Sequence, residues 1–477
     1  MIVYLAQAIR MAAYGLLLVT VACSNVEMPK SVVTPAQSLS SAPATSYDLA
    51  KTPLHAPRHH VFAQPDPAMP LLDQLDFAVG RSFFRNPWVQ APATTAARDG
   101  LGPLYSANSC GSCHLASGRG LAAIENQPLQ HQVVRLSVSE GQAVGTAGFI
   151  PEPVYGGQLQ RQAIPGVRAE GQAFIRYSEV VRTLADGEIV RLRKPALKLA
   201  QLGYGEMVSN LRASVRSAPV LTGMGLLEAV PDQLLLDWAD PEDVNGDGIS
   251  GRVNRVWDIV TQQQRIGRFG WKAEQPSVLQ QSAAAFHADM GISSALVTRQ
   301  NCTITEVRCQ HTEDGGRPEI AAKLLERVTL YVANLAVPSS QMVENNATRK
   351  GEILFDAAGC GACHRAVLTT AESNYPWLSN RPIYPYTDLL LHDMGAELAD
   401  ERAVFSANGR EWRTAPLWGI GLARKVAPKA GFLHDGRARS VLEAILWHGG
   451  EAQRSREKVE QMTRRQRYDL LSYIGSL

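Results

Sequence analysis

Hydrophobic positions change rhythm several times along the 477 residues, and each change predicts a different kind of element. Residues 11–22 form an apolar run with Arg10 as the only charge before it and Cys23 directly after it. Such a run is too short to span a bilayer as a mature helix, and it predicts an export signal over 1–22. From 23 to 69 the chain is rich in Ser, Pro, Ala and Thr and has no apolar period. That composition predicts a flexible tether, with ordered structure beginning near Leu71. Beyond it, one plan is written twice. Gly80-x-x-x-Phe84 and Gly351-x-x-x-Phe355 each open a helical pattern. Arg216-Ser-Ala-Pro219 and Arg413-Thr-Ala-Pro416 follow, with glycines at 223 and 225 and at 419 and 421. Tyr331 with Leu335, and Tyr473 with Leu477, stand four apart, which places each pair on one face of a closing helix. The common order predicts a repeat, with units at 70–340 and 341–477. The first unit is longer and must hold insertions, one between Phe84 and Cys110 and another across much of 120–300. Residues 132–138 and 174–179 read as short strands there.

Composition narrows the function classes. Lys plus Arg is 47 and Asp plus Glu is 45, with 45% hydrophobic and 19% charged residues. This is an ordinary globular balance, long enough for two or three domains. There is no basic stripe of the kind nucleic acid requires.

The chemistry enters with cysteine. Cys110-Gly-Ser-Cys113-His114 and Cys360-Gly-Ala-Cys363-His364 both follow Cys-x-x-Cys-His, the attachment signature of c-type haem. Two thiols add across the haem vinyl groups, and the adjacent histidine ligates the iron. A zinc site or a redox dithiol would give no reason for histidine at the same place in both copies. The expected fold is therefore mainly α, two cytochrome c-like haem domains in tandem, the first enlarged by insertions with short strands. Haem attachment of this kind follows export, so signal and motifs agree. Cys23 after Val21-Ala22 resembles the lipid-modified cysteine of bacterial lipoproteins, although Thr20 stands where Leu is usual. Cleavage elsewhere is the alternative. Cys302 and Cys309, seven residues apart, suit a small disulfide loop, or else a functional thiol pair. Asp243-Val-Asn245-Gly-Asp247-Gly-Ile-Ser-Gly offers oxygens at alternate positions, which suits Ca²⁺. Asn254 replaces the bidentate Glu of an EF-hand, and a plain Asx- and Gly-rich turn is the alternative.

Three segments carry a resemblance: 412–421 (WRTAPLWGIG), 431–438 (GFLHDGRA) and 442–451 (LEAILWHGGE). With Tyr155-Gly-Gly-Gln-Leu-Gln160 and Gly267-Arg-Phe-Gly-Trp-Lys-Ala273, they resemble the di-haem oxidoreductase family, also labelled thiol oxidoreductases. The resemblance runs from about residue 70 to the end. That family is similar to the bacterial di-haem cytochrome c peroxidases. In those peroxidases the outer ligand of the C-terminal haem lies fourteen residues after a His-Asp-Gly segment. Here that position after His434 is His448, where the peroxidases usually have Met, so the resemblance implies His364 and His448 as the ligand pair. Met394, after His392-Asp, is the alternative, and His434 becomes a neighbour of the haem edge. The first half has no His-Asp-Gly copy, which implies an open iron face opposite His114. Met224, Met290 or His131 would close it. The resemblance further implies reduction of H₂O₂ or a similar oxidant at the N-terminal haem, with electrons relayed by the C-terminal haem through Trp271. Glu152 and Gln158 are the acid–base candidates. The expected protein is an exported enzyme on the periplasmic side of a bacterial membrane, held only by a lipid anchor. A small electron-donor protein or quinol-linked cytochrome would feed it. The competing readings are a pure electron carrier and an oxidase of thiols or protein side chains.

Overall fold

Two long helix pairs touch backbone to backbone, and both contacts rest on a glycine. The computed structural model describes residues 58–139, 147–339 and 346–477. Its organising helices are α1 (Leu71–Arg85), α2 (Val278–Met290), α3 (Ala322–Ala333), α4 (Asn346–Ala358), α5 (Val441–Leu446) and α6 (Arg464–Ile474). α1 packs on α3, and α4 packs on α6. A Cβ on Gly80 would lie 2.0 Å from the Arg327 carbonyl oxygen, and one on Gly351 would lie 2.2 Å from that of Asp469. Only glycine permits so close an approach. One turn on, Phe84 meets Tyr331 with ring centres 5.1 Å apart, and Phe355 meets Tyr473 at 5.6 Å. The four-residue spacing in the sequence thus becomes one helix face carrying a contact and then an aromatic lock.

Between these helix pairs lie strands. β1 (Gln132–Val138) pairs antiparallel with β4 (Leu211–Ser217), while β2 (Gln172–Thr183) and β3 (Ile189–Ala200) form a long hairpin. β5 (Arg255–Asp258) pairs with β6 (Gln263–Ile266), and β7 (Leu391–Asp393) with β8 (Glu411–Arg413). Every sheet described is two-stranded.

The expectation of a mainly α chain of two tandem cytochrome c-like domains is overturned. Helix accounts for 30% of the chain and strand for 19%, spread over several small sheets. The physical reason lies in the inserted segments, which fold as strands twelve residues long where short ones were expected. They also knit the halves together. The largest core joins Phe77, Phe286 and Tyr331 of the first half to Leu378, Leu390 and Trp418 of the second. Arg252 forks onto Glu411 through two bonds of 2.6 Å, and the contacts gather the described residues into one unit. Residues 1–57, with the signal, Cys23 and most of the tether, lie outside the described residues, as does the boundary placed at 340–341.

Cys302 and Cys309 are joined by a disulfide. No helix among the described residues is long and apolar enough to cross a membrane.

Candidate functional site

Each Cys-x-x-Cys-His segment folds as a tight turn that faces a cavity. In the first, Cys110–Ser112 form the turn, Ser109 Oγ accepts from the Ser112 amide at 3.2 Å, and the His114 amide donates to the Cys110 carbonyl at 2.9 Å. In the second, Cys360–Ala362 make the same turn and the His364 amide donates to Cys360 O at 2.9 Å. All four thiols are free. Burial pushes Cys110, Cys113 and Cys360 up to about 12, so they stand as thiols.

The histidines are oriented by backbone carbonyls. His114 donates Nδ1–H to Pro219 O at 2.9 Å, and His364 donates to Tyr386 O at 2.9 Å. Tyr386 sits in the left-handed region, φ +54°, which is strained for a residue with a side chain. Its hydroxyl is 2.9 Å from that of Tyr473, which ties this loop to α6. His448, just past α5, donates Nδ1–H to Ala444 O at 2.7 Å. In each case a carbonyl takes the Nδ1 proton and leaves Nε2 with a free lone pair, the arrangement a ligating imidazole needs. Burial lowers the pKa of all three, His364 to about 4, so the rings are neutral, as ligands must be.

The first cavity encloses about 1560 Å³ of atom-free space, mouth included, and the second about 1360 Å³. Cys110, Cys113 and His114 line the first; Met224, Met290 and His131 line it too. His131 gives its Nδ1–H to Ser112 O at 2.8 Å. Cys360, Cys363, His364, His448, Met394 and His434 line the second. His434 stacks on Trp412, ring centres 3.7 Å apart and planes within 7°. Arg216 and Lys272 each stand 4.3 Å from the Trp412 ring centre. Burial, then the charges of Arg437, Arg216 and Lys272, holds His434 well below its usual range and hence neutral.

His392 lies between two carboxylates, 2.9 Å from Asp388 and 2.7 Å from Glu451. Burial opposes its charge, yet Asp388, then the Cys363 sulfur at 3.8 Å, then Glu451 raise its pKa well above the usual value. Both ring nitrogens are thus engaged as donors. Trp271 is buried, donates Nε1–H to Ser217 O at 2.8 Å, and lines both cavities. Arg119, Arg413, Ala415 and Pro416 share that wall.

The acid–base candidates lie elsewhere. Glu152 accepts from the amides of Val154, Tyr155 and Val208, and it lines neither cavity. Gln158 also lines neither, but it donates to Asp289 Oδ1 at 3.0 Å, and Asp289 does line the first. Beside the cations Arg119, Arg135, Arg216, Arg268 and Arg413, the first cavity takes its carboxylate and carboxamide groups from Glu274, Gln281 and Asp289. A signal for two of them was present. Val278, Gln281, Ser282, Ala285, Phe286 and Asp289 recur at helical spacing along one face of α2, and all line the cavity. In the Asp243 loop, Asp243, Asn245 and Asp247 accept from the loop's own amides of Gly248, Asp247 and Ile249.

A family model described as "Di-haem oxidoreductase, putative peroxidase" matches residues 50–477. The chain belongs to the di-haem oxidoreductase family. No curated protein matches. Among solved structures, the chain is similar to hydrazine synthase from Kuenenia stuttgartiensis at 12% identity, over 94% of this chain and 100% of that one, with a TM-score of 0.33.

The residues present fit the two haems that membership in the di-haem oxidoreductase family implies. Both cavities have mostly apolar linings against free thiols and a neutral, oriented imidazole. Nε and one terminal nitrogen of buried Arg216, at the first cavity, have no hydrogen-bond partner. Orphaned guanidinium donors of this kind are what the carboxylates of a porphyrin would satisfy.

Proposed function

We propose that the chain is an exported, peroxidase-like enzyme carrying two covalent haems, with reduction of H₂O₂ or a similar oxidant at the first and electron relay at the second. Cys110 and Cys113 would hold the first haem with His114 as ligand; Cys360 and Cys363 would hold the second between His364 and His448. A haem with one open iron face supplies peroxide-bond cleavage, whereas one closed on both faces supplies electron transfer. The observation that carries this reading is the asymmetry of two cavities sharing Trp271. The second has His448 in its lining, where the resemblance places the outer ligand. The first has no counterpart of the His-Asp-Gly block; it has Glu274, Gln281 and Asp289, beside a carbonyl-anchored His131.

The chain's own groups divide the remaining work. Glu274 Oε2 accepts from the Lys272 amide at 2.9 Å, which aims the carboxyl into the first cavity, where it can pass a proton to or from a bound oxidant. Gln158 holds Asp289. Trp271 is the path between the centres, its indole held by Ser217 O. A donor protein supplies the electrons. Cys23 as lipid anchor and the periplasmic side as location follow from the export signal, and the Asp243 loop as a Ca²⁺ site is checked by metal analysis of the purified protein.

Absorption and EPR spectra of the oxidised protein, with and without peroxide, test the reading. One high-spin haem that changes on peroxide addition is expected, in the oxidised state or once the other haem is reduced. Two low-spin haems in every redox state, unresponsive to peroxide, leave the pure electron carrier. Met224, Met290 and His131 in the first cavity favour that competitor, because a thioether or imidazole from any of them would close the open face.

A further inference from the structure

The wall between the cavities contains a buried cation without a counter-ion. Arg119 is 7% exposed and lines both cavities. Its Nε donates to Gly431 O at 3.1 Å, and its guanidinium lies 5.7 Å from the Trp271 ring centre and 5.4 Å from that of Phe432. Two other buried guanidiniums in the lining of the first cavity have carboxylates: Arg216 pairs with Asp400 at 2.7 Å, and Arg268 pairs with Asp232. Among the described residues, no carboxylate is in ion-pair contact with Arg119. Arg413, on the same wall, bonds only to the carbonyls of Gly270 and Thr414. Burial alone pulls Arg119 down to about 10, which leaves it charged at neutral pH. A buried guanidinium held only by carbonyls and aromatic faces carries a desolvation cost that an anion would relieve. Both guanidiniums line both cavities, so an anion that completes the site arrives with the occupants of those cavities.

We propose that Arg119 is a shared carboxylate clamp, pairing with a carboxylate of the porphyrin in each cavity, with Arg413 as the second cation of the same site. The inference rests on the two-haem reading and deepens it. The seating of the two haems is then coupled through one guanidinium fork, whose planar donors can face two carboxylates at once. A substrate anion is the other source of the same chemistry, and the test separates the two.

The experiment is a spectroelectrochemical titration of both haems in the mature protein without oxidant, for wild type, Arg119→Gln and Arg119→Lys, with haem content by pyridine haemochrome. Wild type should return two haems. Arg119→Gln should lower both midpoint potentials, because loss of a nearby positive charge disfavours the reduced, less positive iron. Arg119→Lys keeps the charge and loses the fork, so it should shift both in the same direction by less. Should Arg119→Gln not mature, unchanged potentials in Arg119→Lys overturn the clamp. A shift confined to one haem, or unmoved potentials with only KM for the oxidant changed, also overturns it. Fewer than two haems in wild type overturns the reading beneath it as well.

Discussion

His448 shows how much one side chain decides. Its Nδ1 is taken by the Ala444 carbonyl, which leaves Nε2 free in a ring that lines the second cavity together with His364. His448→Met should raise the midpoint potential of the second haem, since thioether ligation raises it relative to imidazole. An unchanged optical spectrum in that variant would remove His448 from the ligand set. A second prediction concerns Glu170, 1% exposed and facing Glu306. Burial first, then the Glu306 charge, raises its pKa well above the usual carboxylate range. The folded chain therefore holds a proton that the unfolded chain has released, and stability falls as pH rises from the ordinary glutamate range to the raised value. Glu170→Gln should flatten that fall, read as Tm against pH in mildly acid to neutral buffer. A steeper fall would reject the assignment. Residues of the Cys-x-x-Cys-His type were legible in the sequence because the chemistry fixes their spacing. The Glu170 and Glu306 pair was not, because 136 positions of chain separate partners that meet only on folding.

At the scale of elements, the two glycine contacts are the strictest. A methyl on Gly351 would fall 2.2 Å from a backbone oxygen that has no rotamer by which to yield. Gly351→Ala should cost about 3 kcal/mol, the upper end for overpacking, read by denaturant unfolding. A loss below about 1 kcal/mol would mean that α4 and α6 can slide apart. This pairing was readable from Gly-x-x-x-Phe and the distant Tyr. The β2–β3 hairpin was less so. Toward its tip, from Arg176 onward, burial stops alternating cleanly: Leu192 is buried, with Val180 and Val190 packed beside it, while most of the other side chains there are partly or fully exposed. A strand without a continuous buried face leaves no period-two signal.

Across the whole molecule, one core and the Arg252–Glu411 fork join halves that the sequence presents as successive. Unfolding should follow one transition, with far-ultraviolet circular dichroism and haem absorbance coinciding. A fragment covering 346–477, stripped of its share of that core, should stay unfolded by the same circular dichroism measurement. Two separated transitions would show that the halves stand alone. The repeat was visible in the order of motifs, while the knitting was not, because nothing local marks which strand of an insertion will lie against a distant segment. The same holds for the first cavity, whose wall is assembled from α2, β4 and the 267–274 stretch.

The carbonyls behind the two proximal imidazoles come from unlike neighbours, a proline at 219 and a left-handed tyrosine at 386. The pentapeptides look interchangeable on paper, yet each ring takes its bearing from chain far beyond the five letters. Transplanting one motif into the other's place would move the anchor points and leave the compass behind, so any engineer who swaps them must carry across a second, distant loop.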